Sequence, residues 1–593
     1  MIDTNVLSEL TIESFRKNAI RSVLLLDERF PKYHQVGDEK FDTPDAKVCM
    51  ELYKYFNRQG LLCDIENDIA LIKNGISSHI QKSDLLILDL HLNSQNEQDV
   101  TDSVEILKSL ADSKNFNLVV VYTAKKEIRE VGRQLAGSLA GKPLNDSINP
   151  EIQDEFTLAV AGIKENHQDI PLTECVDSYL LKNRNPGPEL STFKGDVARE
   201  LDVKLKPYLN EIVTRLAIDS LKNDYGTILD DGSRQLKAGN LDCNNPWFAC
   251  ESVFVVVANK TETPPGDGAL LEVLDEALTD WNPGVVRCLL SEIQNCTTKS
   301  GWPFDSLVEK DAITQVGWLY HAKQMGSELG DGQGAIAIRQ LTDRVLNSLG
   351  NRIASEQSLI SLTKKALASI EFLSDPKERI KELCKANGVP EETKFIFPDV
   401  LHALNSFLSC EEFREQPRHI TTGTIVKVST EVDVEWWLCV EPACDTIPNQ
   451  MGNKQFIRLR MLRLKKITEH MKILKQATHS RYIFIEDDGT RIYLDSRDGI
   501  TNQHDLIDVF VSRDNQIIEI DGSRTVRYWL AVTTNDELKY FEGKATLIAQ
   551  LRGSNANRFL HEAGYHQSRI GVDFINCTEE DATMLNAPKK AKP

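Results

Sequence analysis

Up to residue 126, continuous apolar runs alternate with stretches whose apolar positions recur at helical spacing. Ser22–Leu26, Leu61–Ile65, the run ending at Asp89 and Asn117–Thr123 read as strands. Between them, Ala46, Val48, Cys49, Leu52 and Phe56 repeat with helical period and predict a helix over Asp45–Arg58, and Val104–Leu110 predicts another. Strands alternating with helices imply a parallel, doubly wound sheet. Residues 127–245 then read as mostly helical, with interruptions such as Asn185-Pro186-Gly187-Pro188. Ser252–Val257 is apolar throughout and rich in β-branched residues, which suits a central parallel strand. It predicts a fifth strand of the same sheet, with 127–245 inserted before it, because a bare fourth strand would be an open edge. The alternative is that the sheet stops at four strands and that 251–280 opens a new domain.

Residues 281–415 read as helical, and residues 420–535 as short strands separated by turns. Thr424–Val428, Glu435–Val440, Tyr482–Ile485, Ile517–Ile520 and Val526–Val532 are the strands, and Asp487-Asp488-Gly489 and Asp521-Gly522 carry hairpin chemistry. A short polar helix is expected over 1–17, a helix near Ala545–Gly553, a strand at Ile570–Ile575 and a disordered tail at Ala587–Pro593. The expected organisation is multidomain, α/β plus α plus β. It comprises a doubly wound sheet domain at 18–280 with its helical insertion, a helical domain at 281–415, a small antiparallel barrel or sandwich at 420–535 and a C-terminal segment at 536–593.

Composition changes this picture little. The 593 residues are 41% hydrophobic and 27% charged, an ordinary globular balance. The net charge of −20 argues against non-specific nucleic-acid binding. No apolar run reaches the ~18 residues of a spanning helix, and no signal peptide is read, so a cytoplasmic protein with no membrane partner is expected. The twelve cysteines are scattered and read as free thiols, with Cys439 and Cys444 a weak metal alternative.

The chemistry gathers at strand ends. Ligands of a parallel sheet bind outside the carboxyl ends of its strands. That places Asp27 and Glu28, Asp89, and Thr123 in one crevice. Crowded carboxylates repel unless a cation or proton intervenes, so the group predicts a divalent metal and a reactive aspartate. Lys260, after the fifth strand, supplies a positive charge; Lys142, in Lys142-Pro143, is the alternative. Asp89-Leu90-His91 also admits a phosphatase of haloacid-dehalogenase type, but His91 stands where that family needs an acid. Gly330-Asp331-Gly332-Gln333-Gly334 lacks the features of a nucleotide loop and reads as an interhelical turn, and His321 as a structural histidine. The basic run Arg458, Arg460, Arg463, Lys465, Lys466, Lys472 and Lys475 reads as a solvated face. Trp436, Trp437 and Trp529 read as barrel core.

The succession of acid pair, aspartate, threonine and lysine resembles the receiver domain of two-component response regulators. The resemblance implies that Asp89 accepts a phosphoryl group from a histidine kinase. It implies Mg²⁺ held by Asp27, Glu28, Asp89 and the His91 backbone carbonyl, with Thr123 as the switch hydroxyl and Lys260 pairing with Asp89 or the phosphoryl group. No classical enzyme is implied beyond slow loss of that group. The sequence departs from the family in its Asp-Glu order, in the long Leu90–Glu97 segment without a proline, and in the distance to Lys260. A receiver with a long helical insertion, together with Glu435–Asp445 and Gln567–Phe574, resembles the divergent receiver proteins of bacterial anti-phage operons, the Detocs phosphorelay among them. That resemblance implies a phosphate sink or relay, with a receiver-bearing effector as a further partner. A silent receiver acting as a binding scaffold is the alternative.

Overall fold

The computed structural model describes residues 4–568, except 40–41, 70–79, 81, 93–98, 114, 142–147, 182–186, 229–233, 235, 251, 301–311, 314, 318, 321–341, 343–344, 390–394, 412–418, 430–432, 447–454, 478–480, 498–502, 513, 516, 521–522 and 535–536. Lys142, His321, the glycines at 330–334, Asp521-Gly522, Ile570–Ile575 and the tail lie outside the described residues. The chain forms two compact units, one of residues 1–305 and 345–393, the other of 306–344 and 394–593.

Among the described residues the first unit is built on a seven-stranded sheet of order β2-β1-β3-β4-β7-β6-β5. Its strands are β1 (Ser22–Leu26), β2 (Leu62–Glu66), β3 (Leu85–Leu88), β4 (Asn117–Thr123), β5 (Lys237–Ala238), β6 (Trp247–Ala249) and β7 (Val253–Asn259). The first four and β7 are parallel, and β7 lies beside β4 in the register Asn117↔Val253 to Thr123↔Asn259. The fifth parallel strand is therefore reached only after the insertion, as the apolar pattern predicts. The insertion is mostly helical, as expected, and ends in two short strands. The short strands β6 and β5 add antiparallel to β7 and cover its free edge. Two- and three-residue strands leave too little alternation to be read in a sequence.

Alternate side chains of each strand feed two separate cores. Leu24, Leu26, Leu86, Leu88, Val119 and Val121 face one; Val23, Leu25, Leu85, Ile87, Leu118 and Val120 face the other. The second core receives Leu7 and Leu10 of α1 (Thr4–Ile12), and Cys49, Leu52 and Phe56 of α2 (Pro44–Arg58). The N-terminal helix is thus a packed element and not the polar one expected. It continues into a π-turn at Glu13–Lys17 that buries Phe15. The first core receives Val104, Leu107 and Leu110 of α3 (Thr101–Ala111), and α4 (Ile128–Ala140), of which Val131, Leu135 and Leu139 are buried. The insertion helices α5 (Gln153–Asn166), α6 (Leu172–Leu180), α7 (Pro188–Glu200) and α8 (Leu209–Asn223) close over α4, contributing Phe156, Val176, Phe193 and Leu216. Arg133 of α4, 3% exposed, ties this layer together by a two-pronged pair with Asp177 at 2.8 Å and by Asp242 at 2.6 Å. On the other face, α9 (Ala269–Trp281), α10 (Val285–Ser300) and α11 (Gln357–Ala368) complete the second core.

In the second unit a closed six-stranded antiparallel barrel runs β10-β9-β17-β16-β14-β11 and returns to β10. Its strands are β9 (Thr424–Ser429), β10 (Val434–Cys439), β11 (Phe456–Lys466), β14 (Leu506–Ser512), β16 (Ser523–Thr534) and β17 (Glu537–Leu551). The hairpin of β12 (Tyr482–Asp487) and β13 (Thr490–Asp495) extends β11, and β15 (Ile518–Ile520) pairs with β16. Asp488 and Gly489, at φ 48° and 72°, make the tight turn between β12 and β13 that the Asp-Asp-Gly sequence predicts. Trp436 and Trp437 are core, as expected. The helix expected at Ala545–Gly553 is instead the end of β17: Ala545, Leu547 and Ala549 are buried while Thr546 and Ile548 between them are not, a period of two. Pairing with β9 and β16 decides this segment against the helix propensity of its alanines and leucines. The helix begins only at Gly553 and runs to Ser568.

Candidate functional site

Strand register sets the site. The last ladder residues of β1 and β3, Leu26 and Leu88, are opposite one another, so Asp27 and Asp89 leave the sheet side by side. The Asp89 amide donates to the Leu26 carbonyl at 3.0 Å. At the far side Thr123 is opposite Asn259, and the Lys260 amide donates to the Thr123 carbonyl at 2.8 Å. Lys260 therefore starts two strands away from Asp89, and its long side chain reaches back across β4.

Its ammonium bridges both acids, 2.7 Å from Asp89 Oδ1 and 3.1 Å from Asp27 Oδ2. The flat rings of Phe30 and Tyr122 lie 5.8 Å from it, holding it from the side. Asp27 is 2% exposed. Burial, and then the neighbouring Asp89 charge, push its carboxyl up to about 6 in spite of Lys260. Burial works against the charge on Lys260, but Asp89 and then Asp27 outweigh it and hold its pKa above the ordinary lysine value. Two acids sharing one ammonium leave the pair net negative, so a further cation is favoured here.

The backbone around the acids is fixed by hydrogen bonds. Asp27 Oδ1 accepts the Arg29 amide at 2.9 Å, and Asp89 Oδ2 accepts the His91 amide at 3.2 Å. Ser103, at the start of α3, donates to the carbonyls of Asp89 and Leu90 at 3.0 and 2.8 Å. The buried Thr123 hydroxyl accepts the Lys125 amide at 3.1 Å. Asn259 donates to the Lys125 carbonyl at 2.9 Å and accepts the Thr261 amide at 2.7 Å, joining the loops after β4 and β7. Sequence reading missed Ser103 and Asn259. Only their positions, at a helix start and directly before Lys260, hinted at them.

Of the residues singled out, Asp27, Asp89 and Lys260 are in direct contact, and Thr123 is on the rung next to Lys260. Glu28 follows Asp27 half-buried, and its Oε1 is buried without a hydrogen-bond partner among the described residues; so is His91 Nδ1. Among the described residues no three His, Cys, Asp or Glu side chains converge on one metal position. The donor chemistry still suits a small hard cation: carboxylate and carbonyl oxygens only, one of them an unsatisfied Glu28 oxygen.

Asp27, Asp89, Thr123 and Lys260 thus stand at the ends of four strands of one parallel array. Residues 19–165 match the family model of the response receiver domain. The match takes in Asp27, Glu28, Asp89, His91 and Thr123 and stops before β7 and Lys260. The chain thus carries a receiver domain over residues 19–165, and that domain supports a function of the response-regulator, phosphoacceptor kind. No curated protein and no solved structure matches the chain. Among the described residues no helix is long and apolar enough to cross a membrane.

Proposed function

We propose that the protein takes a phosphoryl group onto Asp89 from the phosphohistidine of a partner kinase. The observation that carries this reading is the Lys260 ammonium set between Asp89 and Asp27 at the ends of adjacent strands. An Asp89 oxygen forms the new bond to phosphorus, the histidine nitrogen–phosphorus bond breaks, and the imidazole leaves. Lys260 stays within reach of both the acceptor and the arriving oxygens and offsets their charge. The Thr123 hydroxyl turns from the Lys125 amide toward the modified Asp89, which ties the loop after β4 to the modification state. Asp27, Glu28, Asp89 and the His91 carbonyl would hold Mg²⁺. When bound, that ion supplies charge neutralisation and orientation of the phosphoryl oxygens. At a finer level, the segments Glu435–Asp445 and Gln567–Phe574 favour a phosphate sink or relay in an anti-phage system, with a receiver-bearing effector downstream.

A second reading is favoured by one observation, the lack among the described residues of three side chains converged on a metal position. In it the receiver is silent and the chain is a scaffold. Incubation with Mg²⁺ and acetyl phosphate or phosphoramidate, followed by intact-mass measurement, separates the two. The phosphoacceptor gains one phosphoryl group, and Asp89→Ala does not. Failure to label with either donor and with a cognate kinase supports the scaffold.

A further inference from the structure

The Lys260 side chain crosses β4 to reach Asp89, so its aim depends on the turn from which it starts. That turn, Asn259–Thr263, is closed largely by one residue. The Asn259 carbonyl accepts the Thr263 amide at 2.9 Å, and its side-chain Oδ1 accepts the amides of Thr261 and Glu262 at 2.7 and 3.3 Å. The far end is held from β4, where the Tyr122 hydroxyl donates to the Thr263 carbonyl at 2.6 Å. Tyr122, Asn259 and Thr263 are all buried, so these bonds form in a low-dielectric setting that strengthens them.

Asn259 also reaches sideways. Its Nδ2 donates to the Lys125 carbonyl at 2.9 Å, while the Lys125 amide donates to the Thr123 hydroxyl at 3.1 Å. Lys125 is thus gripped from both sides, by Thr123 and by the residue directly before Lys260. The Asn259 amide must present oxygen to two N–H groups and nitrogen to a carbonyl, which fixes its orientation and uses both of its polar ends. Aspartate, of the same size, could not donate. Serine, with donor and acceptor on one short arm, could not span both loops.

We propose that Asn259 is a positioning residue for phosphoryl transfer to Asp89: it holds the turn that aims Lys260 and fastens that turn to the loop after β4. The inference rests on the phosphoacceptor reading of Asp89. Among the described residues Asn259 makes no hydrogen bond to either acid, so it acts through Lys260. A displacement of about 1 Å is enough to weaken a catalytic contact severely, and the contact at stake is the ammonium that offsets charge on the arriving oxygens. The same clamp sets Lys260 and the Thr123 hydroxyl together. When that hydroxyl leaves the Lys125 amide, the Lys125 carbonyl stays with the turn after β7.

Initial rates of Asp89 labelling by acetyl phosphate and Mg²⁺ test this, taken on the full chain and scaled to the folded fraction from circular dichroism. Asn259→Ala should label about tenfold slower than wild type. Asn259→Ser, which keeps an oxygen for the Thr261 amide, should recover part of that rate. In a Lys260→Ala background the Asn259→Ala change should cost almost nothing, because the residue it acts through is gone. Equal losses in both backgrounds, undiminished labelling of Asn259→Ala, or Asn259→Ser no faster than Asn259→Ala would each overturn the proposal. If the wild type takes no label, the phosphoacceptor reading itself fails, and the hold on Lys260 is then read by amine acylation with peptide mapping. Several-fold faster acylation of Lys260 in Asn259→Ala than in wild type upholds that hold; an unchanged rate overturns it.

Discussion

Replacing Asp27 by Asn should make the receiver more stable at neutral pH while disabling it. The wild-type carboxyl is buried beside Asp89, and burial first, then that charge, raise it from the ordinary 3.8 to about 6. A folded-state value above the unfolded one means that the stability tied to Asp27 is fully present below about pH 4. It is lost as pH rises through about 6. At about 1.4 kcal/mol per tenfold, that displacement is worth about 3 kcal/mol as a ceiling. Asn cannot ionise and keeps an acceptor for the Arg29 amide, now 2.9 Å from Asp27. Lys260 keeps Asp89 at 2.7 Å, so the ammonium is not stranded. Calorimetry or urea unfolding at pH 7.5 and pH 4 should show Asp27→Asn above wild type at the higher pH, by up to about 6 °C at roughly 2 °C per kcal/mol. At the lower pH the gap should close. A variant less stable than wild type at pH 7.5, or equally advantaged at both, would refute the reasoning.

Other expectations follow from single contacts. Arg133→Met removes the buried guanidinium and leaves half-buried Asp177 without its two-pronged partner, while exposed Asp242 returns to water; the loss should be about 1.5–3 kcal/mol, as denaturation curves will show. Gly489→Ala meets no neighbouring atom, so only its φ of 72° matters; about 1 kcal/mol should be lost from the barrel unit, with the fold unchanged by circular dichroism. Leu547→Glu puts a charge on the buried face of β17 and should unfold the barrel unit, whereas exposed Lys544→Glu nearby should be tolerated; equal effects in proteolysis would contradict the strand assignment.

The sheet was legible because its strands are buried on both faces. β3, β4 and β7 read as unbroken apolar runs, and even 120-odd intervening residues do not disguise β7. Their polar last residues were legible for the same reason, each standing out against an apolar run. Less was readable where neighbours decide. β11 alternates Ile457, Leu459 and Met461 inward with Arg458 and Arg460 outward, so a run of basic residues hid a barrel strand. β17 takes its form from pairing with β9 and β16. The N-terminal helix looks polar until Leu7, Leu10 and Phe15 are seen to land in the core of the sheet. Ser103 and Asn259 act only through backbone groups brought to them by the fold, which no local pattern announces.

The central claim, that Asp89 is the phosphoacceptor, is tested most directly by trapping. An aspartyl phosphate is reduced by borohydride to homoserine, which marks the residue that carried it. After incubation with acetyl phosphate and Mg²⁺, peptide mapping should find that mark in the Ser83–His91 stretch, at position 89, and Lys260→Ala should sharply reduce it. A mark on Asp27 or Glu28, or none on any aspartate under conditions in which the fold is intact, would contradict the account.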